Sequence, residues 1–492
     1  MAAASNALAV SIQTFAGESD PAAELRSRVV ALTRYGLERQ GAGDLQAAAD
    51  AFRGVTDMMP GLALGWNNLA LALASLGEYE DAVAALRCAL SLDTEQPASW
   101  TSLANALLQL GRFEEADAAS GEALGRDVAD AAAWQIRAMA CAGQDDFEGA
   151  AEAFTRTLEL VGESAPLRAS LGAMLFRCGR FAEAARHLRI SLLLDAAAPA
   201  TVEMANLCQF ILAALDGDMA RARAIYGPAV APAGPELDRV FKTALLYLDA
   251  GGHAEAARRV AEDWAACRPD DLEARHFHAA AAALPVERQP AELVTRHFDG
   301  IAATFETRME SLGYEGPDQM AALLAAWVPP QMALEVLDAG CGTGLCAPVL
   351  RPYARRLAGI DLSAGMLAQA RARDLYDSLE VADLTFALER QAAGWDLVLA
   401  ADVLPYIGRL EAVFAAVATA LKPGGWFAVS TEADDGDGPV LRGNGRYAHG
   451  RAYIEALAAD RFEIVERVSA VLRREAGRPV DGDYFLLRRL GA

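Results

Sequence analysis

The sequence predicts an all-α stack of helical hairpins followed by an α/β domain with a mostly parallel sheet, and three observations carry that prediction. A 34-residue rhythm runs through the first half, strand-length and helix-length apolar segments alternate after residue 290, and one of those strands ends in a glycine-rich turn that opens a helix. The chain has 492 residues, enough for two or more domains. Hydrophobic residues make up 53% and charged residues 23%, the composition of a folded globular protein, which excludes global disorder. Net charge is −23, of which −15 falls before residue 285 and −8 after it. Neither half offers a net basic face, so nucleic acid and anionic membranes are not expected as partners.

The seven cysteines are scattered, odd in number and without C-x-x-C spacing, so a reduced compartment with most of them in the core is expected. The N-terminus lacks a basic stretch before an apolar one, which argues against a signal peptide. No apolar run reaches membrane-spanning length, and a cytoplasmic location is the expectation.

The repeat shows in four columns. Trp66, Trp100 and Trp134 stand 34 apart, as do Gly43, Gly77, Gly111 and Gly179, with Asp145 at the missing step. Leu45, Tyr79, Phe113, Phe147 and Phe181 follow two residues later, then an alanine column of Ala48, Ala82, Ala116, Ala150 and Ala184. Within 63–96, Trp66, Leu69 and Leu73 lie on one helical face, and Ala82, Leu86 and Leu90 on another. One such hairpin cannot bury its apolar face alone, so neighbours stack.

This pattern resembles tetratricopeptide (TPR) repeats at 29–62, 63–96, 97–130, 131–164 and 165–198. Two degenerate copies follow at about 203–236, with Gly217 and Ala222, and about 237–270, with Gly251 and Ala256. The tryptophans read as core packing. The resemblance implies a protein partner on the inner face, at positions such as Asn67, Leu71, Thr101, Asn105, Gln135 and Met139. Lysines of a carboxylate clamp are missing there, so a mixed polar and apolar groove is the reading. Residues 1–28 precede the repeats, 29–284 hold five clear and two degenerate units, 285–290 form a linker, and 291–492 form the second domain.

In that domain, strands are expected at 334–339, 356–360, 379–382, 395–400 and 425–430. The first runs into Asp338-Ala-Gly340-Cys-Gly342-Thr-Gly344. The glycines allow a tight turn and close backbone approach to a ligand. The spacing is G-x-G-x-G, so the dinucleotide pattern G-x-G-x-x-G is absent. Asp338, two before the first glycine, suits an ammonium group and would repel a pyrophosphate. Asp361 ends the second strand, placed for ribose hydroxyls. Asp383 ends the third, placed for an exocyclic amine. Amine, carboxylate, ribose and adenine together describe S-adenosylmethionine.

Residues 291–492 resemble class I S-adenosylmethionine-dependent methyltransferases, with a Rossmann-like seven-stranded sheet. The matching stretches are 337–344, 359–367, 383–384, 396–400 and 421–430, and the runs 462–472 and 483–490 would form the closing antiparallel hairpin. The whole arrangement is similar to bacterial proteins that place TPR repeats before such a domain. Signs of that narrower group are His297-Phe-Asp-Gly-Ile-Ala302 with Phe305, Leu312-Gly-Tyr314, and Gly445-Arg-Tyr-Ala-His449, with Ile301 where the group often has Tyr. By resemblance, Asp338 holds the methionine amine, the Gly340, Gly342 and Gly344 backbone approaches the methionine portion, and Asp361 takes the ribose. Met366 covers an adenine face, Asp383 and Leu384 meet the adenine edge, and Ala400 closes the fourth strand at the cofactor. No metal is expected.

A base is needed only if the acceptor must lose a proton. His449 is the candidate from sequence, with Tyr447 and Arg446 placed to orient the acceptor; the alternative is that Arg446–His449 merely caps the helix beginning near Arg451. Asp402-Val-Leu-Pro-Tyr406 falls where class I enzymes line the acceptor pocket. The expected function is methyl transfer to a small molecule, with the repeats binding a protein. The alternatives are a protein methyltransferase whose repeats recruit the substrate, or a scaffold with a silent fold.

Overall fold

The alanine column lies in the core of the helical stack: Ala48, Ala82, Ala116, Ala150 and Ala184 all have 0% exposure. The structure, a computed structural model, describes residues 21–195, 198–226, 235–330, 332–475 and 478–491. The expected N-terminal segment lies outside the described residues up to residue 20; the first helix, Pro21–Gly41, already covers 21–28. By contact density the chain divides at Cys208/Gln209, inside the helix Pro199–Leu215, a different position from the expected boundary near 285.

The first unit is a series of antiparallel helix pairs, of which Ala63–Leu76 with Tyr79–Leu92 and Pro97–Gln109 with Phe113–Arg126 are typical. Each pair turns on the glycine column. Gly43, Gly77, Gly111 and Gly179 have φ between 72° and 83°, and Asp145 takes the same left-handed conformation at φ 59°. Asp is among the few side chains that tolerate it. At Gly77 the turn returns the Glu78 N–H to Leu73 O and the Gly77 N–H to Ala74 O, satisfying carbonyls the helix end leaves open. The tryptophans pack against the core and also do something more specific. Trp66, Trp100 and Trp134 each donate Nε1–H to the carbonyl six residues back, Pro60, Thr94 and Val128, at 2.8, 2.9 and 2.9 Å, and so pin the inter-repeat turn.

The second unit begins with helices Met219–Tyr226, Pro235–Ala250, Ala254–Cys267 and Leu272–Ala281. An aromatic file joins the end of Pro199–Leu215 to the last three of them, Phe210 to Phe241 at 5.5 Å, Phe241 stacked on Trp264 at 5.9 Å, and Trp264 to Phe277 at 5.7 Å. The left-handed turn of the last degenerate copy falls on Gly252, φ 73°, so the expected Gly251 is displaced by one.

Beyond them lies the sheet: β1 Leu334–Ala339, β2 Ala354–Asp361, β3 Ser378–Val381, β4 Trp395–Ala400, β5 Leu421–Asp434, β6 Pro439–Leu441, β7 Tyr447–Gly450, β8 Phe462–Glu475 and β9 Arg478–Arg489. The order β3-β2-β1-β4-β5 is parallel throughout; β9 then pairs antiparallel with β5, and β8 with β9. The short β6–β7 hairpin attaches to the C-terminal end of β5 through Glu432–Asp434. Side chains alternate across two covered faces. Val398, Phe427, Val429, Phe485 and Leu487 pack with Phe414 and Ile454 on one side. Leu397, Leu399, Ala428 and Leu486 pack with Met320, Leu324 and Leu350 on the other. The expected linker is stitched down. Gln289 N–H donates to Tyr406 O, and Glu287 O accepts from the Gly408 and Arg409 N–H groups.

Candidate functional site

A cavity of about 290 Å3 opens at the C-terminal ends of β1, β2 and β4, where ligands of open α/β sheets bind. Gly340, Gly342 and Gly344 have φ of 79°, 53° and 84°, so the turn after β1 favours glycine at all three positions. A Cβ on Gly340 would also stand 2.3 Å from Val403. Gly340 and Cys341 both donate their N–H to Ile360 O, fastening the turn to β2.

Asp338 and Asp361 reach the cavity from neighbouring strand ends. Asp361 accepts from Gly342 N–H at 2.9 Å and Ser363 N–H at 2.8 Å. Burial raises its pKa, and those N–H groups work against the shift. Burial likewise pushes Asp338 up to about 7, although Tyr376 donates its hydroxyl to Oδ2 at 2.6 Å. Ser363 caps the helix Ala364–Ala372, which carries Met366 to the cavity wall. Asp299, from the 297–302 stretch, accepts from Ser363 Oγ at 2.5 Å and Gly365 N–H at 2.9 Å. That stretch therefore ties the roof of the cavity to the helix beneath it.

Asp383 and Leu384 also line the cavity. Asp383 caps the helix Leu384–Glu389, accepting from Thr385 and Phe386 N–H groups, and its second oxygen accepts from Arg288 Nη2 at 2.6 Å. Of the expected cofactor residues it is the one most committed to protein partners. Ala400 is displaced from its expected place: it is 1% exposed in the core beneath the sheet, and the next residue, Ala401, lines the cavity.

The remaining wall is formed by His297, Phe298, Ile301, Phe305, Arg308 and Tyr314 from the roof, and by Asp402, Tyr406, Arg446, Arg473 and Glu475 opposite. Asp402 has φ 54°, the left-handed conformation that Asp tolerates better than most side chains, just past the end of β4. Arg446 Nη2 lies 2.8 Å from Asp402 Oδ1 and Nη1 donates to the Tyr406 hydroxyl at 2.9 Å. Glu432 sits 2.6 Å from both Arg446 and Arg473. Burial opposes its ionisation, but the two guanidiniums hold its pKa below the usual range. Arg308, by contrast, forms no ion pair among the described residues. His297 is held below the ordinary imidazole pKa by desolvation and by the charges of Lys242, Arg308 and Arg446.

Only Arg446 of the three expected catalytic residues reaches the cavity. His449 is 0% exposed; its Nε2–H points at Ile407 O (2.9 Å) and Gly408 O (3.1 Å), and its ring stacks on Tyr453. Tyr447 donates its hydroxyl to Val286 O at 3.1 Å and is likewise outside the cavity. Both corrections have one cause. β7 is a strand, so Tyr447 and His449 share a face, turned away from the cavity, whereas Arg446 belongs to the turn before it and reaches Asp402 and Tyr406. Sequence reasoning missed Tyr376, Arg288, Arg308 and Arg473, which no spacing rule marks. His297, Phe298, Phe305 and Tyr314 carried a signal only as members of the stretches at 297–305 and 312–314.

The donor set fits S-adenosylmethionine: a buried carboxylate without a cation partner for its ammonium, a second carboxylate for a diol, and apolar walls at Met366 and Leu384 for its base. The methyltransferase domain family matches residues 337–429, and tetratricopeptide repeats match 63–96 and 97–127. A ubiquinone biosynthesis O-methyltransferase of Idiomarina loihiensis is 33% identical over 101 residues, 20% of this chain and 42% of that protein. A malonyl-[acyl-carrier protein] O-methyltransferase of Enterobacter lignolyticus is 34% identical over 112 residues, 23% of this chain and 44% of that protein. The chain thus spans less than half the length of these curated relatives. Among solved structures, MamA protein aligns with 34% of this chain and 90% of its own at 19% identity and a TM-score of 0.33. An S-adenosylmethionine-dependent methyltransferase from Mesorhizobium loti aligns with 35% of this chain and 100% of its own at 25% identity and a TM-score of 0.28. The chain carries tetratricopeptide repeats in its N-terminal half and a methyltransferase domain in its C-terminal part.

Proposed function

We propose that this protein is an S-adenosylmethionine-dependent methyltransferase acting on a small-molecule acceptor, with its repeats binding a protein partner. The observation that carries the reading is one continuous cavity. It runs from the Gly340–Gly344 turn, Asp338 and Asp361 to an aromatic wall of Phe298, Phe305 and Tyr406 beneath the 291–314 roof. When bound, the cofactor supplies an electrophilic methyl group. Asp338 takes its ammonium, Asp361 its ribose hydroxyls, and Met366 and Leu384 flank its base. The roof excludes water and holds the acceptor in line, the main task of a protein in methyl transfer.

His297 takes the place first given to His449 as the proton acceptor. It faces the cavity and is neutral at pH 7, so a ring nitrogen is open to the acceptor's proton; the desolvation and cations that keep it neutral also weaken it as a base. Cations around it favour an acceptor that becomes an oxyanion over one that becomes an ammonium, so a hydroxyl on a flat apolar body is the class that fits. The ubiquinone biosynthesis relative is likewise an O-methyltransferase. Calorimetry with S-adenosylmethionine tests the cofactor: Asp361→Ala is expected to weaken binding more than tenfold, and unchanged affinity overturns the ribose assignment. Tritiated-methyl labelling of cell lysate, sorted into protein and small-molecule fractions, tests the acceptor class; label confined to protein overturns it.

A further inference from the structure

Asp338 is 2% exposed and forms no ion pair among the described residues. Its one side-chain hydrogen bond comes from Tyr376, 38 residues later, across the β2–β3 crossover. Two glycines make room for that ring. A Cβ on Gly359 of β2 would stand 2.9 Å from Tyr376 Cε1, and one on Gly344 3.0 Å from Cε2. The glycine turn is thus shaped on its inner side to admit a phenol against the carboxylate. The other titratable groups around Asp338 are Asp361 from β2 and the Cys341 and Cys346 thiols, both kept neutral by burial. Arg373, which shares the Gly344 side with Tyr376, has its guanidinium engaged by Thr343 O at 2.8 Å and Glu306 at 2.6 Å.

We propose that Tyr376 is a positioning residue for cofactor capture, its hydroxyl aiming the buried Asp338 carboxyl at the cavity and favouring its ionised form, so that binding an ammonium group there completes the ionisation and releases a proton. The inference rests on the S-adenosylmethionine reading above. The balance is simple: a carboxylic acid gives its proton to solvent and the resulting carboxylate pairs with the incoming ammonium. In the free protein burial and the neighbouring Asp361 favour the neutral acid, and the Tyr376 hydroxyl favours the anion, which leaves Asp338 titrating near neutrality. A bound cation lowers that pKa, so affinity falls as pH drops below about 7. Without Tyr376 the carboxylate ionises at higher pH and the dependence moves upward.

The test is calorimetry of S-adenosylmethionine binding to the full chain at pH 6, 6.5, 7 and 8, in two buffers of different ionisation enthalpy. The wild type is expected to gain about fivefold in affinity from pH 6 to 7 and to release close to one proton at pH 6. Tyr376→Phe is expected to bind about fivefold or more weakly at pH 6.5 and to recover most of the difference at pH 8. Asp338→Asn is expected to bind weakly with no such pH dependence. Affinity that is flat with pH and releases no proton overturns the linkage. A Tyr376→Phe loss of equal size at every pH separates the hydroxyl from the ionisation of Asp338 and overturns the proposed role. Failure of the wild type to bind at any pH overturns the cofactor reading itself.

Discussion

His276 Nε2 lies 2.7 Å from the carbonyl oxygen of Gly445, a contact between residues 169 apart in sequence. A carbonyl only accepts, so Nε2 carries the proton. Gly445 takes φ 79° in the turn that presents Arg446 to the cavity, and the helix Leu272–Ala281 thereby supports a wall of the site. His276→Ala leaves the buried Gly445 carbonyl without its donor, and a loss of about 1–3 kcal/mol is expected in urea denaturation.

Burial also lowers the pKa of His276 and of His449, which are 3% and 0% exposed. Both are neutral in the native state near pH 7. The unfolded chain binds more protons than the native one once pH falls below about 6.5, so stability is full above that value and is lost as pH decreases. Asp338, whose raised pKa stabilises the native state on acidification, works in the opposite direction but is common to both proteins, so the comparison of wild type with His449→Gln at pH 7.5 and 5.5 isolates the histidine: the variant is expected to lose less, or gain more, on acidification. A variant whose midpoint moves with pH as the wild type's does contradicts the assignment.

The segment 285–290 predicts where the chain can be cut. Tyr447 bonds Val286 O, Gly408 and Arg409 bond Glu287 O, and Tyr406 O accepts from Gln289. A fragment starting at residue 285 keeps these bonds but loses His276 and the Phe241–Trp264–Phe277 file, exposing Tyr447 and the 440s turn. A fragment starting at residue 199 keeps them all. The longer fragment is expected to melt cooperatively and bind S-adenosylmethionine like the full chain, and the shorter one to aggregate or lose several degrees. Equal melting of the two removes the helices from the folding unit.

At Asp383 capping and ion pairing separate by substitution. The Arg288 pair is partly exposed, at 41% and 28% side-chain exposure, and contributes about 0–1 kcal/mol. The cap to Thr385 and Phe386 contributes about 0.5–2 kcal/mol, and asparagine retains it. Asp383→Asn is therefore expected to stay close to wild-type stability and Asp383→Ala to fall further, read from chemical denaturation of both.

Periodicity made much of this fold legible. The alanine and glycine columns and the apolar strands mark positions whose chemistry is set by local geometry, and β1, β4 and the 462–490 hairpin fall where they were expected. Glycine spacing likewise located Asp338 and Asp361. What escaped depends on non-local contact. Tyr376 meets Asp338 only through a crossover, and a tyrosine before a strand has no pattern of its own. His449 misled because β7 has four residues, too short to read as a strand, so the face its imidazole occupies was invisible. The boundary near 285 followed a change in pattern, whereas the helices before it share contacts with the residues after it.

The two histidines now separate function from stability. His297 lines the cavity next to Phe298, whose ring meets Tyr406 at 5.3 Å, while His449 bonds backbone carbonyls outside it. With tritium transfer into the small-molecule fraction as readout, His297→Ala is expected to lower turnover by about 10²–10⁴ for a hydroxyl acceptor while cofactor affinity stays within twofold. His449→Ala is expected to lower the denaturation midpoint and, in the fraction that remains folded, to leave turnover near wild type. The pH profile discriminates further. Because the His297 imidazole is neutral well below pH 7, wild-type turnover at saturating cofactor should hold its plateau down to acid pH. A profile that falls with an ordinary imidazole pKa removes the role from His297, and a His449→Ala enzyme that is stable but inactive returns the base to His449.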